Sequence, residues 1–230
     1  MFQHSKYVKT LGMAAAGLAL SFMVVGPVAA EGNRPGWDRD YNSEISAAKA
    51  YLLITSNKGS KDIPAALIDV RTLGEHAAGH PKGSYNVPFP HINWASEGSP
   101  YVGQDPQVFY DEVLLAVDGN LDTPIMTLCR SGYRSVLAAN ILANPAGNGV
   151  YGEPFTNVRN IWEGFQGAHR YDNNDIAVDM TGDGEVTELD KDGWINHMEL
   201  PYSTVLTPAR AYLNDVNQYE TATPYTYPEH

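Results

Sequence analysis

The stretch PIMTLCRSGYRSVLAANILA, residues 124–143, decides the fold. PIMTL (124–128) is a short, largely apolar run of the kind buried in parallel strands, and it leads directly into Cys129. Further on, Val136, Leu137, Asn140 and Ile141 recur at three- and four-residue spacing, which predicts a helix ended by Asn144 and Pro145. A buried strand feeding a helix through a short turn is the building unit of a parallel α/β sheet.

The turn itself, CRSGYRS (129–135), has the composition of an anion cradle. Amides of a loop entering a helix point inward, and the helix dipole adds partial positive charge, which favours a thiolate and holds an anionic sulfur group. Arg130 and Arg134 bring two full charges, and Gly132 permits sharp curvature. Cys129 is the only cysteine, so no partner in the chain can protect it as a disulfide. With polar neighbours rather than apolar ones, it reads as a nucleophile and not as core filler.

Outward from this unit the same alternation continues. SEISAAKAYLLITSN (43–57) has helical spacing with Ser43 as a plausible cap, and KGSKDIP (58–64) breaks it. AALIDV (65–70) predicts a second buried strand, RTLGEHAAG (71–79) a brief helix or turn, and YNVPF (85–89) a weaker strand closed by Pro88 and Pro90. A Ser, Gly and Pro-rich loop (95–106) precedes a helix in QVFYDEVLLAV (107–117), and VRNI (158–161) is a third strand. The expected class is α/β, an open parallel sheet flanked by helices on both faces.

At this point the chain resembles the rhodanese family. LIDVRTLGEHAAGHPKGSYNVPF (67–89) is similar to that family's opening signature through Asp69, Val70, Arg71, Glu75, Gly79, His80, Gly83, Asn86 and Pro88. CRSGYRS resembles its active-site loop, and NIWEGFQG (160–167) and GWINHMELP (193–201) its closing segments. The resemblance spans residues 43–202 and implies a rhodanese-like sheet. It implies a sulfurtransferase in which Cys129 takes sulfane sulfur from thiosulfate or a related small anionic donor as a persulfide, then passes it to cyanide or a thiol. Arg130 and Arg134, with Ser131, Gly132, Tyr133 and Ser135, would hold the donor and the persulfide, while Asp69 and Arg71 would support the loop. No cofactor is implied for catalysis. The alternative is a module that carries persulfide, or binds a partner, without turnover. His76, Pro81 and Tyr85 depart from the family pattern, and His80 fits its Gly-His pair as a structural histidine. Phosphatases of similar fold place five residues between cysteine and arginine, whereas four separate Cys129 from Arg134 and Ser135 stands where arginine would be needed.

Tyr171 to Asp192 holds eight acids against one base with almost no apolar period, and reads as an insertion. Within it Asp179, Thr181, Asp183, Glu185 and Asp190 fall at the first, third, fifth, seventh and twelfth places of an EF-hand-like loop, with Gly184 at the sixth, so a structural calcium ion is expected there. A second frame from Glu188 to Glu199 shares Asp190 with the first. The remainder, 203–230, is expected to be an appended tail with helical spacing only at 208–219.

Residues 1–30 place Lys6 and Lys9 before an apolar run that ends in Val28, Ala29 and Ala30, the pattern of a signal peptide cleaved before Glu31. A polar leader (31–42) follows, and the mature protein is expected in the periplasm or secreted, with no stable membrane insertion after cleavage. Of 15 Lys+Arg and 27 Asp+Glu, the first thirty residues hold two lysines and no acid, leaving 13 against 27 and a formal charge of −14. That balance excludes nucleic acid and anionic membrane as expected partners.

Overall fold

The computed structural model describes residues 39–56, 63–89, 91–92, 101–102, 105–196 and 198–212. The expected signal peptide, most of the leader, His197 and the tail beyond 212 lie outside the described residues. Among the described residues no helix is long and apolar enough to cross a membrane.

Among the described residues nine strands and four α-helices follow one another as β1 (Ser43–Ile45), α1 (Ala47–Thr55), β2 (Ala66–Asp69), α2 (Leu73–Ala78), β3 (His80–Pro81), β4 (Tyr85–Asn86), β5 (His91–Ile92), β6 (Tyr101–Val102), α3 (Pro106–Ala116), β7 (Ile125–Leu128), α4 (Arg134–Ala143), β8 (Val158–Ile161) and β9 (Tyr202–Ser203). Five strands form one parallel sheet in the order β1-β8-β7-β2-β4. The central strands β2 and β7 are buried along their whole length, which is why each reads as a largely apolar run rather than an alternation.

Helices cover both faces. Phe109, Tyr110 and Val113 of α3 and Val136, Ala139 and Leu142 of α4 pack with Ile68, Ile125 and Val158. On the opposite face Ala47 and Ala50 of α1 join Leu67, Met126, Leu128, Ile161, Phe165 and Trp194. The expected open parallel sheet between two helical layers is what forms.

Two expectations are corrected. Ser43 does not cap a helix: Ser43–Ile45 pairs in parallel with Arg159–Ile161 at the sheet edge, and the helix starts at Ala47 with Ser46 as N-cap, its side chain accepting from the Lys49 amide. Helical spacing and a short strand are indistinguishable over three residues, and the open edge of β8 decided between them. The tail is not merely appended, because β9 pairs with β3 and the Tyr212 amide donates to the Asn86 carbonyl. Its expected helix begins with a single 3-10 turn, Pro208–Arg210, and then runs extended beside Asn86.

Candidate active site

Cys129 follows β7 and immediately precedes the loop into α4, at the carboxyl end of the sheet. Ligand sites of open α/β sheets lie at this end. Thr127 Oγ1 donates to the Ser135 carbonyl at 3.0 Å, which ties the first turn of α4 back to β7. The helix N-cap, Tyr133, supplies no side-chain acceptor to the leading amides. Ser135 Oγ donates to Cys129 Sγ at 3.5 Å.

The chain after β8 wraps the loop from the other side. Phe165 N donates to the Cys129 carbonyl at 2.8 Å, and Gln166 N and Gly167 N donate to the Arg130 carbonyl at 2.9 and 3.0 Å. Gly132 has φ +81°, and a Cβ there would lie 2.2 Å from the Trp162 carbonyl oxygen, so both conformation and space demand glycine. NIWEGFQG is thus the strap that fixes the curvature of CRSGYRS.

The two arginines have different placements. Arg134 is buried, and its Nη1 and Nη2 donate to Glu75 Oε2 and Oε1, both at 2.7 Å. Burial by itself would raise the Glu75 carboxyl, but Arg134 outweighs it and holds the acid below its ordinary value. Where the sequence suggested that Arg134 holds an anionic donor, the structure has this bidentate pair clamping the start of α4 to α2. Arg130 is half-buried, with Nε donating to Gln166 Oε1 at 2.7 Å. Ser131 and Tyr133 are also half-buried, and Gly132 is buried.

Cys129 itself is 1% exposed and packs within the apolar cluster on the α3–α4 face. The sequence reading expected a nucleophile rather than core filler. The side chain is instead covered, because the residue at the end of β7 points to the same face as Ile125, four residues earlier.

Asp69 and Arg71 pair with each other behind the loop's strap. Both are fully buried; Arg71 Nε and Nη2 donate to Asp69 Oδ1 and Oδ2 at 2.9 and 2.6 Å, and Nη2 also donates to the Gly79 carbonyl. The guanidinium lies 4.0 Å above the centre of the Phe165 ring, within the strap that follows β8. His76 Nδ1 stands 2.8 Å from Asp69 Oδ2, and its ring stacks on His80 at 3.8 Å. Burial would raise Asp69, yet Arg71 and His76 hold it well below the usual carboxylate range. Burial and the neighbouring His76 keep His80 low, and its Nδ1 donates to the His76 carbonyl at 2.8 Å.

Sequence reasoning gave no role to Glu75, Gln166 or Asn160. Glu75 carried a readable signal: Thr72 and Glu75 form a capping box, the Thr72 hydroxyl accepting from Glu75 N and the Glu75 carboxylate from Thr72 N. Gln166 and Asn160 carried none, since each meets a loop residue that lies far from it along the chain.

The acidic loop is folded on its own amides. Asp190 is buried and accepts from Met180 N, Thr181 N and Thr187 N, and these amides hold its carboxyl below the usual range. Asp179 accepts from Gly182 N and Gly184 N, and Asp183 from Glu185 N. Thr181 Oγ1 donates to both Asp179 and Asp190. Among the described residues no three carboxylates, histidines or cysteines converge as a metal-ligand set, and the Asp179 and Asp190 oxygens are taken up by backbone amides.

Known proteins can now be compared. The sequence pattern of the family described as "Rhodanese-like domain" matches residues 51–170, just over half of the chain. The chain belongs to the rhodanese-like domain family. Uncharacterized protein RP600 of Rickettsia prowazekii is 33% identical over 123 residues, 54% of this chain and 83% of that protein. Uncharacterized protein RC0915 of Rickettsia conorii is 32% identical over the same shares. Among solved structures, Rv0390 from M. tuberculosis is 23% identical and covers 72% of this chain and 99% of its own, with a TM-score of 0.43. The human single-domain sulfurtransferase TSTD1 is 23% identical and covers 53% and 90%, with a TM-score of 0.34. The family match ends at residue 170, yet the packed core extends past it: Trp194 is fully buried beside Phe165, and its amide donates to the Gly164 carbonyl.

Proposed function

We propose that this rhodanese-like domain is a sulfurtransferase acting through a persulfide on Cys129. The observation that carries the reading is an intact cysteine at the strand-to-helix loop of a chain belonging to this family. The thiolate attacks the outer sulfur of thiosulfate, the sulfur–sulfur bond of the donor breaks, and sulfite leaves with its electron pair. Cyanide or a thiolate then attacks the outer sulfur of the persulfide, which releases thiocyanate or a new persulfide and returns Cys129 as thiolate. Arg130, half-buried at the loop, is the guanidinium that meets the anionic donor; Arg134 acts as a positioning residue through Glu75.

Intact mass after incubation with thiosulfate tests it. One added sulfur atom on the wild type and none on Cys129→Ala supports the reading, and an unchanged mass on both overturns it. The burial of Cys129 favours a second reading, a carrier that accepts sulfur without useful turnover. Thiocyanate production from thiosulfate and cyanide separates the two, since a carrier adds sulfur once and then stops.

A further inference from the structure

Beside the cysteine loop lies a pocket of about 190 Å³ that Cys129 does not line. Its walls include Gly132 of the loop, Val136 of α4, Asn160 of β8, Trp162, Ala168 and His169. Asn160 is 1% exposed. Its Nδ2 donates to Glu44 Oε2 at 2.8 Å and to the Gly132 carbonyl at 3.5 Å, which fixes the amide and leaves Oδ1 as the remaining polar atom. Oδ1 is buried with no hydrogen-bond partner among the described residues, and so is Nδ1 of His169 in the same wall. Two polar atoms left without partners at one pocket are costly to fold and point to something that supplies them.

The electrostatics of the walls restrict the class. Arg39 is paired with Glu44 at 2.9 Å, and Arg170 with Asp192 at 2.7 Å, so both guanidiniums at this pocket are already matched by carboxylates. The Arg170 guanidinium also covers the Trp162 ring at 3.9 Å. A small anion such as the proposed sulfur donor gains no unmatched charge here, and Asn160 Oδ1 asks for a donor, not for another acceptor. We infer that this pocket, whose walls do not include Cys129, is a second ligand site for a small uncharged molecule bearing an amide-type N–H that donates to Asn160 Oδ1. Because Asn160 also holds the Gly132 carbonyl, the site shares a hydrogen bond with the cysteine loop.

Benzamide serves as the probe, with methyl benzoate lacking the donor and benzoate adding charge. Titration of the full chain, followed by the amide signals of Gly132 and Ala168 and the indole of Trp162, is expected to show saturable shifts with benzamide. Binding of methyl benzoate and of benzoate should be about fivefold weaker or more, the worth of one hydrogen bond. Ala168→Phe fills the pocket from a half-buried wall and should abolish the shifts. Cys129→Ala should keep them, so the result does not depend on sulfur transfer. No shift with benzamide into the tens of millimolar, equal binding of methyl benzoate, or unchanged binding by Ala168→Phe would each overturn the site and leave water as the partner of Asn160.

Discussion

At the scale of single residues, the site depends on two placements that allow little substitution. Gly132→Ala forces a side chain into φ +81° and onto the Trp162 carbonyl, and we expect a loss of about 2 kcal/mol or more in urea unfolding. Gly83→Ala is the matched control: its φ is +86°, but nothing lies within 4 Å of the added Cβ, so only the conformational cost of about 1 kcal/mol is expected. Equal losses at the two positions would show that the strap does not press on the loop. Glu75→Ala leaves the Arg134 guanidinium buried without its carboxylate and should cost about 3 kcal/mol by the same measurement. A loss within half a kcal/mol would mean that the clamp is not formed.

At the scale of elements, α3 carries a titration that the sheet does not need. Burial pushes the Glu112 carboxyl up from 4.5 to about 7, and among the described residues its Oε2 has no hydrogen-bond partner. The folded state therefore keeps a proton that the unfolded state releases, and this group withdraws stability as pH rises from 4.5 to about 7. Glu112→Gln should match the wild type near pH 4 and be more stable by about 1 kcal/mol at pH 8, after allowance for partial solvent screening. A difference that does not change with pH would sink this assignment. In the acidic loop, the calcium proposed from spacing requires Asp179 and Asp190 to exchange their amide hydrogen bonds for the ion. A calorimetric titration with millimolar calcium decides it: heat lost in Asp179→Ala supports the ion, and no heat supports the self-bonded loop.

At the scale of the whole molecule, acid unfolding should report the two buried carboxylate–guanidinium pairs that join the first strand-helix unit to the cysteine loop and its strap. Asp69 and Glu75 are both held below their ordinary values of 3.8 and 4.5. Their stabilisation is complete above those values and is lost as pH falls through the lower folded ones. Asp69→Asn should flatten the acid limb of the stability curve below pH 4 while lowering the plateau above it, and an unaltered limb would show that Asp69 is not held in its charged form. The export proposed from residues 1–30 has its own check, since the secreted protein should begin at Glu31 by intact mass.

The sequence by itself determined the sheet and the place of its cysteine. PIMTL and AALIDV are largely apolar because their strands are buried on both faces, and a glycine between two arginines after Cys129 describes a tight turn into a helix. Local periodicity carried those features because each lies within one continuous segment. It could not assign Ser43–Ile45 to the sheet edge, turn Arg134 toward Glu75, seal Cys129, or bring Asn160 and Trp162 against the back of the loop. Each of these joins residues far apart in the chain, and only the tertiary structure, by fixing which face of each strand meets which neighbour, decided them.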